Sequence, residues 1–223
     1  MFSYFILFYK CFWLFNCFLF KVADFLAIRR PLAALLSAAA FAHIAGTTDS
    51  EHLAALYITY LTNGAPAPAW ERETYSTAAM FDALRKTVET VVRLQQDVLG
   101  RAGARANDLN IATTDGQRLV AFRVLNHATE QPPSLYYSTE AGVTLNRKYP
   151  GTADREEGGN PRAWKRAEEH GRHVIVASEP STFDRGQWKL VGKNCAVVVE
   201  GDGKVDVREV GVEEGWNSTV GDI

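Results

Sequence analysis

An acidic residue at a predicted helix start is the first group in this sequence that could bind a ligand. In "GTTDSEHL", Thr48 and Glu51 have the spacing of a capping box, in which the two side chains satisfy backbone N–H groups reciprocally. Asp49 then lies at the first helical position without a capping role, where the helix dipole favours a carboxylate. We expect Asp49 to be an ordinary first-turn acid or to bind a cation such as the α-ammonium group of an amino acid. Thr48 and Glu51 would support that site by fixing the helix start.

The remaining reactive residues indicate neither a nucleophile nor a metal site. Cys195 precedes a run of valines, so its thiol is predicted to pack as a small buried hydrophobe in a strand. The histidines are His43, His52, His127, His170 and His173. Their spacing is not that of a zinc site, and no glycine-rich loop precedes a helix. We therefore predict no metal and no cofactor, and the pattern alone assigns no catalytic residue.

The composition favours a protein that acts on small molecules or on other proteins. The 223 residues are enough for one domain with a sizeable core. Lys and Arg number 24 against 26 Asp and Glu, so no charge excess indicates nucleic acid. The three cysteines are too few for a disulfide framework, which favours a reducing compartment and a cytoplasmic protein.

Residues 1–20, "MFSYFILFYKCFWLFNCFLF", differ in composition from residues 21–223. Ten of the twenty are Phe, Tyr or Trp. The segment has about the length of a bilayer-spanning helix, but Lys10 lies at its centre, where a charge is costly. It also lacks the pattern of a secretory signal. We interpret it as a thymine-rich noncoding stretch translated through an error in the gene model, or as a membrane anchor, and residues 21–223 as the domain.

Helical periodicity predicts three helices before residue 100. They cover residues 22–41, 49–64 and 74–99. The first is predicted to be one helix with Asp24 as its N-cap, interrupted by Pro31. The second should end at Asn63-Gly64, and apolar positions of the third continue to Leu99.

Residues beyond 107 are predicted to form antiparallel strands. "LNIATTDGQRLVAFRVL" is typical of a hairpin that turns at residues 114–116, and "CAVVVEGDGKVDVREV" of one that turns at 201–203. "SLYYS" and "HVIVAS" add further strands. Residues 146–172 should be a mobile surface loop, and Ser178–Trp188 either a functional loop at a sheet edge or a simple turn. Helices followed by antiparallel strands predict an α+β fold.

Several segments in consistent order resemble one enzyme family. These are "VADFLAIRRPLAALL", "IAGTTDSEHLAALYITYL", "LNIATTDGQRLVAFR", "PPSLYYS" and "VIVASEPSTFDRGQWKLVGKN". Together they resemble the class II glutamine amidotransferases, in particular the fungal glutathione-degrading Dug-type subunits and related bacterial proteins. The likeness runs from about Lys21 to about Val199.

The resemblance implies an N-terminal-nucleophile hydrolase fold, a four-layer αββα sandwich. In such enzymes an N-terminal cysteine attacks the side-chain amide of glutamine or a γ-glutamyl bond, with its own α-amine as base. An Asn-Gly pair stabilises the oxyanion, and an aspartate in a "TDSE"-type motif binds the substrate α-ammonium group. By position, that aspartate is Asp49.

The sequence departs from the family at its start. Residue 2 is Phe2 where the family has its cysteine, and Phe18, Leu19 and Phe20 stand where the family has a His-Asn-Gly triplet. We therefore expect residues 21–223 to be the C-terminal part of the domain, lacking its first strands, in an N-terminally incomplete sequence.

Two functions follow. The first is a subunit that hydrolyses γ-glutamyl amides in glutathione catabolism, catalytically incomplete as this chain stands. Its substrate would be glutamine or another γ-glutamyl compound, and the resemblance implies a metallopeptidase-like partner subunit. The second is a non-catalytic binding module, membrane-anchored if residues 1–20 are genuine, that retains Asp49.

Overall fold

The computed structural model describes residues 5–6, 15–66, 74–141, 173–181, 185–211 and 216, with side chains from residue 21 onward. Within these residues, the α-helices are α1 Phe25–Ala33, α2 Ala38–Ala42, α3 Asp49–Leu61 and α4 Thr77–Leu99, and Arg185–Gln187 form a short 3₁₀ helix. None of the helices described is both long enough and apolar enough to cross a bilayer.

The strands in the same part of the chain form two sheets. In chain order they are β1 Phe5–Ile6, β2 Phe15–Lys21, β3 Asp108–Thr114, β4 Leu119–Leu125, β5 Tyr136–Ser138, β6 Ile175–Ala177, β7 Lys189–Leu190, β8 Cys195–Val199 and β9 Val205–Glu209. The larger sheet has the order β2-β3-β4-β8-β9 and is antiparallel throughout. The smaller sheet has the order β1-β6-β5-β7, in which only the β1–β6 pair is parallel.

Two apolar clusters place the helices, the larger sheet and the smaller sheet in successive layers. Residues of α1, α3 and α4 pack on one face of the larger sheet, where Ile111 and Phe122 lie. The opposite face, with Ala121 and Val197, packs against Val176 of the smaller sheet. All seven residues of β4 are buried because this central strand contributes to both clusters. The α+β prediction is therefore confirmed.

The second and third predicted helices and both hairpins are confirmed. The chain leaves α3 through Asn63 and Gly64, which have φ values of 50° and 76°. Gly116 and Gly203 also have positive φ, 86° and 82°, in the turns that join β3 to β4 and β8 to β9. The third helix ends at Leu99, as the periodicity predicts, and this last residue of α4 is 36% exposed.

The first predicted helix is wrong in its detail. Residues 22–41 form two separate helices, and Pro31 lies inside the last turn of α1, where the missing N–H removes one intrahelical hydrogen bond. Asp24 occupies the N-cap position with φ 53° and makes no side-chain capping bond. Its carboxylate instead pairs with Arg105, a partner that local sequence does not reveal. The predicted loop at 146–172 lies outside the described residues.

Candidate functional site

The start of α3 contains the predicted capping box. The backbone N–H of Glu51 donates to Thr48 Oγ1 at 3.3 Å, and the backbone N–H of Thr48 donates to Glu51 Oε2 at 3.3 Å. The Thr48 hydroxyl donates to the same carboxylate at 2.8 Å, and the Gly46 N–H donates to Oε1 at 2.8 Å. These donors, the Thr48 hydroxyl above all, lower the pKa of Glu51. The helix start is thus fixed without Asp49.

Asp49 is half-buried and contacts both its own helix and Val22, the residue that follows β2. Its Oδ1 accepts from the backbone N–H of Ser50 at 2.8 Å and from the Ser50 hydroxyl at 3.4 Å. Its Oδ2 accepts from the backbone N–H of Val22 at 3.3 Å. A carboxylate oxygen can accept about two hydrogen bonds. Oδ2 therefore retains capacity for a ligand donor beside its single long bond to Val22.

His52 packs the start of α3 against α1. Its Nδ1 lies 2.8 Å from the carbonyl oxygen of Thr48, and because a carbonyl only accepts, Nδ1 carries the proton. The ring meets Phe25 edge to face, with centroids 5.2 Å apart. The spacing of the histidines does not indicate this packing role. The local signal is that His52 lies one helical turn after the cap residue Thr48, within reach of its carbonyl oxygen.

A cluster of buried amides holds the corner between β2 and α1. Gln95, Asn107 and Asn126 are 0%, 0% and 2% exposed. Asn107 Oδ1 accepts from the backbone N–H of Ala23 at 2.9 Å, and Gln95 Nε2 donates to the Ala23 carbonyl. Asn107 Nδ2 donates to Gln95 Oε1 at 2.6 Å and to Asn126 Oδ1 at 3.1 Å. The cluster is not evident from the sequence because its members lie far apart along the chain.

The next residue of the corner, Asp24, is held by charge. Arg105 donates to its carboxylate through Nη2 at 2.6 Å and through Nε at 3.1 Å. The Arg105 guanidinium lowers the pKa of Asp24. Asp tolerates the left-handed conformation found here better than most residues do. Residues 22–24 are therefore fixed by groups from α3, from α4 and from the segment before β3.

The backbone of β2 is irregular at the positions where the family resemblance implies the oxyanion motif. Cys17 pairs with Ile111 and Phe20 pairs with Leu109, so two residues of β2 oppose the single residue Asn110 of β3. This is a β-bulge, a feature that is frequent next to active sites. Asn110 is 1% exposed, and its Oδ1 has no hydrogen-bond partner in the described structure.

Cys195 packs against the apolar cluster between the two sheets but is only partly buried, where the sequence predicts a buried side chain, because it is the first residue of β8. Its Sγ lies 3.5 Å from the carbonyl oxygen of Lys193, and burial raises the pKa of the thiol. Its neighbour across the sheet, Arg123, is 6% exposed and donates to the carbonyls of Pro132, Pro133 and Val191 at 2.6, 2.8 and 2.9 Å. Burial also lowers the pKa of Arg123. A thiol with a raised pKa is a poor nucleophile at neutral pH.

The other sequence features contribute less to this region. Ser178–Trp188 spans the connection from β6 to the edge strand β7, with residues 182–184 outside the described part. Among the described side chains, no group of three or more His, Cys, Asp or Glu residues could hold a metal ion. The start of α3 and the β2–α1 corner are therefore the candidate site.

The comparisons with known proteins found one relative in sequence and one structure of similar fold. The chain is 26% identical over 180 residues to the probable glutamine amidotransferase DUG3 of Saccharomyces cerevisiae, a match covering 80% of this chain and 47% of the yeast protein. It thus spans about half the length of this curated relative. A glutamine aminotransferase class-II domain protein from Silicibacter pomeroyi has the same fold, with a TM-score of 0.53 and 19% identity over 86% of this chain and 65% of that one.

No protein-family model matches the chain. The yeast relative and the bacterial structure nevertheless confirm the resemblance recognised in the sequence: this chain is similar to the class II glutamine amidotransferases in sequence and in fold.

Proposed function

We propose that residues 21–223 are the C-terminal part of a domain that hydrolyses γ-glutamyl amides, with the N-terminal-nucleophile sandwich of the class II glutamine amidotransferases. The substrate is glutamine or another γ-glutamyl compound, and the Dug-type resemblance favours glutathione catabolism with a metallopeptidase-like partner subunit. The yeast relative, described as a probable glutamine amidotransferase, supports the class of reaction.

The geometry of Asp49 carries this proposal. Thr48 and Glu51 cap the helix between them, so the Asp49 carboxylate is not needed for capping. Its Oδ2 has one long hydrogen bond, from Val22, at the positive end of the α3 dipole. A substrate ammonium group can donate a charge-assisted hydrogen bond to such an oxygen. Because the site is half-buried, solvent and salt screen that bond less than they would at an exposed position.

The bulge in β2 supports the same assignment. The bulged residues are Phe18 and Leu19, within the stretch that corresponds to the His-Asn-Gly triplet of the family. A bulge can turn a backbone N–H out of the ladder toward a developing oxyanion. It lies three residues before Val22, so the oxyanion region and Asp49 would face the same substrate.

Catalysis also needs a nucleophile, which we do not assign within residues 1–223. Residue 2 is Phe2, and the raised pKa of Cys195 lowers the fraction of its thiolate at neutral pH. We propose that a polypeptide of residues 1–223 binds the γ-glutamyl group but forms no acyl-enzyme, because binding without a nucleophile does not lower the barrier for amide attack.

Calorimetric titration tests the binding role of Asp49. L-Glutamine and S-methylglutathione are titrated into the 1–223 chain, its Asp49→Asn variant and an Asp82→Asn control, which changes an exposed acid in α4. We expect Asp49→Asn to weaken binding by about 2–5 kcal/mol and Asp82→Asn to leave it unchanged. Equal affinities for all three proteins would remove the ligand role of Asp49.

The departures at Phe2 and at residues 18–20 favour a second candidate, a non-catalytic binding module anchored by residues 1–20. Sequencing the transcript across the codons for residues 15–25 separates the two. A Met-Cys start and a His-Asn-Gly triplet encoded in frame upstream would support the enzyme. An uninterrupted transcript that encodes residues 1–25 as they stand would support the module.

A further inference from the structure

The corner at residues 22–24 is held far more tightly than a strand-to-helix connection requires. Three successive residues each bond to a different group: Val22 to Asp49, Ala23 to the buried amides, and Asp24 to Arg105. Val22 and Ala23 are 4% and 1% exposed. Short connections are ordinarily solvated and variable in position, so such complete fixation indicates that the position of this corner matters.

The amide cluster fixes Ala23 on both sides of its backbone. Asn107 Oδ1 accepts from the N–H of Ala23 at 2.9 Å, and Gln95 Nε2 donates to its carbonyl. Gln95 and Asn107 also bond to each other twice, at 2.6 and 3.0 Å. Asn126 Oδ1 accepts from the backbone N–H of Asn107 at 2.6 Å. Because these groups are buried and mutually satisfied, any displacement of Ala23 would leave a polar group unpaired in the core.

The fixation of Ala23 reaches Asp49 through one peptide unit. The N–H of Val22 precedes Ala23 by one residue and is the described donor to Asp49 Oδ2. At 3.3 Å this bond is longer than an average N–H to O distance, so it does not itself hold the strand against the helix. The backbone of the corner is held instead by the buried amides that bond to Ala23.

We propose that Gln95 and Asn107 are positioning residues for the Asp49 site. By clamping Ala23 they set the Val22 N–H against Asp49 Oδ2, the oxygen that would accept from the α-ammonium group of a γ-glutamyl ligand, while the Ser50 N–H holds Oδ1. This inference rests on the proposed function for its ligand. The clamp contacts themselves are independent of that function.

The test compares Gln95→Met with Thr87→Val. Gln95→Met keeps the shape of the side chain and removes its donors to Ala23 and Asn107. Thr87→Val lies in the same helix, at a side chain that is also 0% exposed, and removes one hydroxyl bond to the carbonyl of Ala83. Two quantities are measured on each 1–223 chain: hydrogen exchange of the Val22 and Ala23 amides relative to Ile111 and Ala112, and the Kd of S-methylglutathione. Asp49→Asn is the binding reference.

We expect Gln95→Met to accelerate exchange at Val22 and Ala23 about fivefold or more relative to the β3 amides, and to weaken ligand binding by a similar factor. Thr87→Val should change neither the relative exchange at Val22 and Ala23 nor the Kd, whatever its effect on global stability. The positioning inference is wrong if the Gln95→Met and Thr87→Val proteins have the same relative exchange rates at Val22 and Ala23 and the same Kd. The proposed function stands in that case if Asp49→Asn still loses binding.

If the wild-type chain binds no γ-glutamyl ligand, the proposed function is wrong. The exchange rates then still show whether Gln95 fixes the backbone at Val22 and Ala23. Faster amide exchange at Val22 alone in Gln95→Met would support Gln95 and Asn107 as the residues that position the Val22 N–H beside the Asp49 carboxylate. Unchanged exchange at Val22 would overturn that as well.

Discussion

The backbone N–H of Val22 lies 3.3 Å from Oδ2 of Asp49, and this contact joins the residue after β2 to the first residue of α3 across 27 positions of sequence. A first-turn acid in an ordinary helix faces solvent and favours the dipole, and nothing more. Here the carboxylate also meets the residue that follows the bulged strand β2, so a ligand bound at Asp49 would lie close to the end of that strand.

The capping role of Thr48 predicts an effect on stability. Thr48→Ala removes the acceptor for the Glu51 N–H and the donor to the Glu51 carboxylate. We expect the free energy of unfolding to fall by about 1 kcal/mol in urea denaturation, because that is the typical cost of a lost N-cap. Ser76→Ala, which removes the cap of α4, should cost a similar amount. A Thr48→Ala protein of unchanged stability would contradict the capping role.

The lowered pKa of Glu51 predicts acid sensitivity. A carboxyl whose folded pKa lies below its ordinary value of 4.5 stabilises the fold above that pH, and this contribution is lost as the pH falls through the folded pKa. Unfolding free energy should therefore decrease between pH of about 5 and about 3, and less steeply in Glu51→Gln. Thr48→Ala should flatten the profile in the same way, because its hydroxyl is the main cause of the shift. A Glu51→Gln profile as steep as that of wild type would contradict this.

We expect even the conservative substitution of Arg123 by lysine to lower the free energy of unfolding. Arg123→Lys leaves at least one of the carbonyls of Pro132, Pro133 and Val191 without a donor, because one ammonium cannot reach all three in the same directions. We expect a loss of about 3 kcal/mol of unfolding free energy. Arg93→Lys, an exposed control in α4, should change it by less than about 0.5 kcal/mol. A similar small effect at Arg123 would show that the three bonds do not stabilise the fold.

Cys195 should react slowly. Burial raises its pKa and so reduces the thiolate fraction at neutral pH. In a chain with Cys11→Ser and Cys17→Ser, iodoacetamide should alkylate the folded protein at least about tenfold more slowly than the urea-unfolded protein at pH 8. Equal rates would mean that Cys195 is an accessible, reactive thiol and would reopen its assignment as a packing residue.

Local signals in the sequence predicted the parts of the fold that local interactions determine. The Thr48/Glu51 box gave the start of α3, and Asn63-Gly64 its end, because capping and left-handed turns involve residues within four positions. Gly116 and Gly203 marked both hairpins for the same reason. The role of Asp24 was missed, since its partner Arg105 lies 81 residues away and outweighs the local preference of an aspartate for capping.

The candidate site was predictable only in part. Asp49 followed from the spacing of its neighbours and from the family resemblance. Its contact with Val22 and the clamp of Gln95 and Asn107 depend on how α3 and α4 pack on the larger sheet, which no short-range pattern encodes. Polar residues at periodic helix positions, such as Gln95 among the apolar positions of α4, are the one signal that could have indicated a buried network.

The most direct test asks whether Asp49 recognises the α-ammonium group itself. The affinities of L-glutamine and of its analogue without the α-amino group are measured for wild type and for Asp49→Asn, which gives a cycle in which one change is in the ligand and the other in the protein. We expect each single change to weaken binding, and the second change to add little once the first is made, with a coupling energy of about 2 kcal/mol or more. Independent, additive effects of the two changes would contradict a contact between Asp49 and the substrate ammonium group.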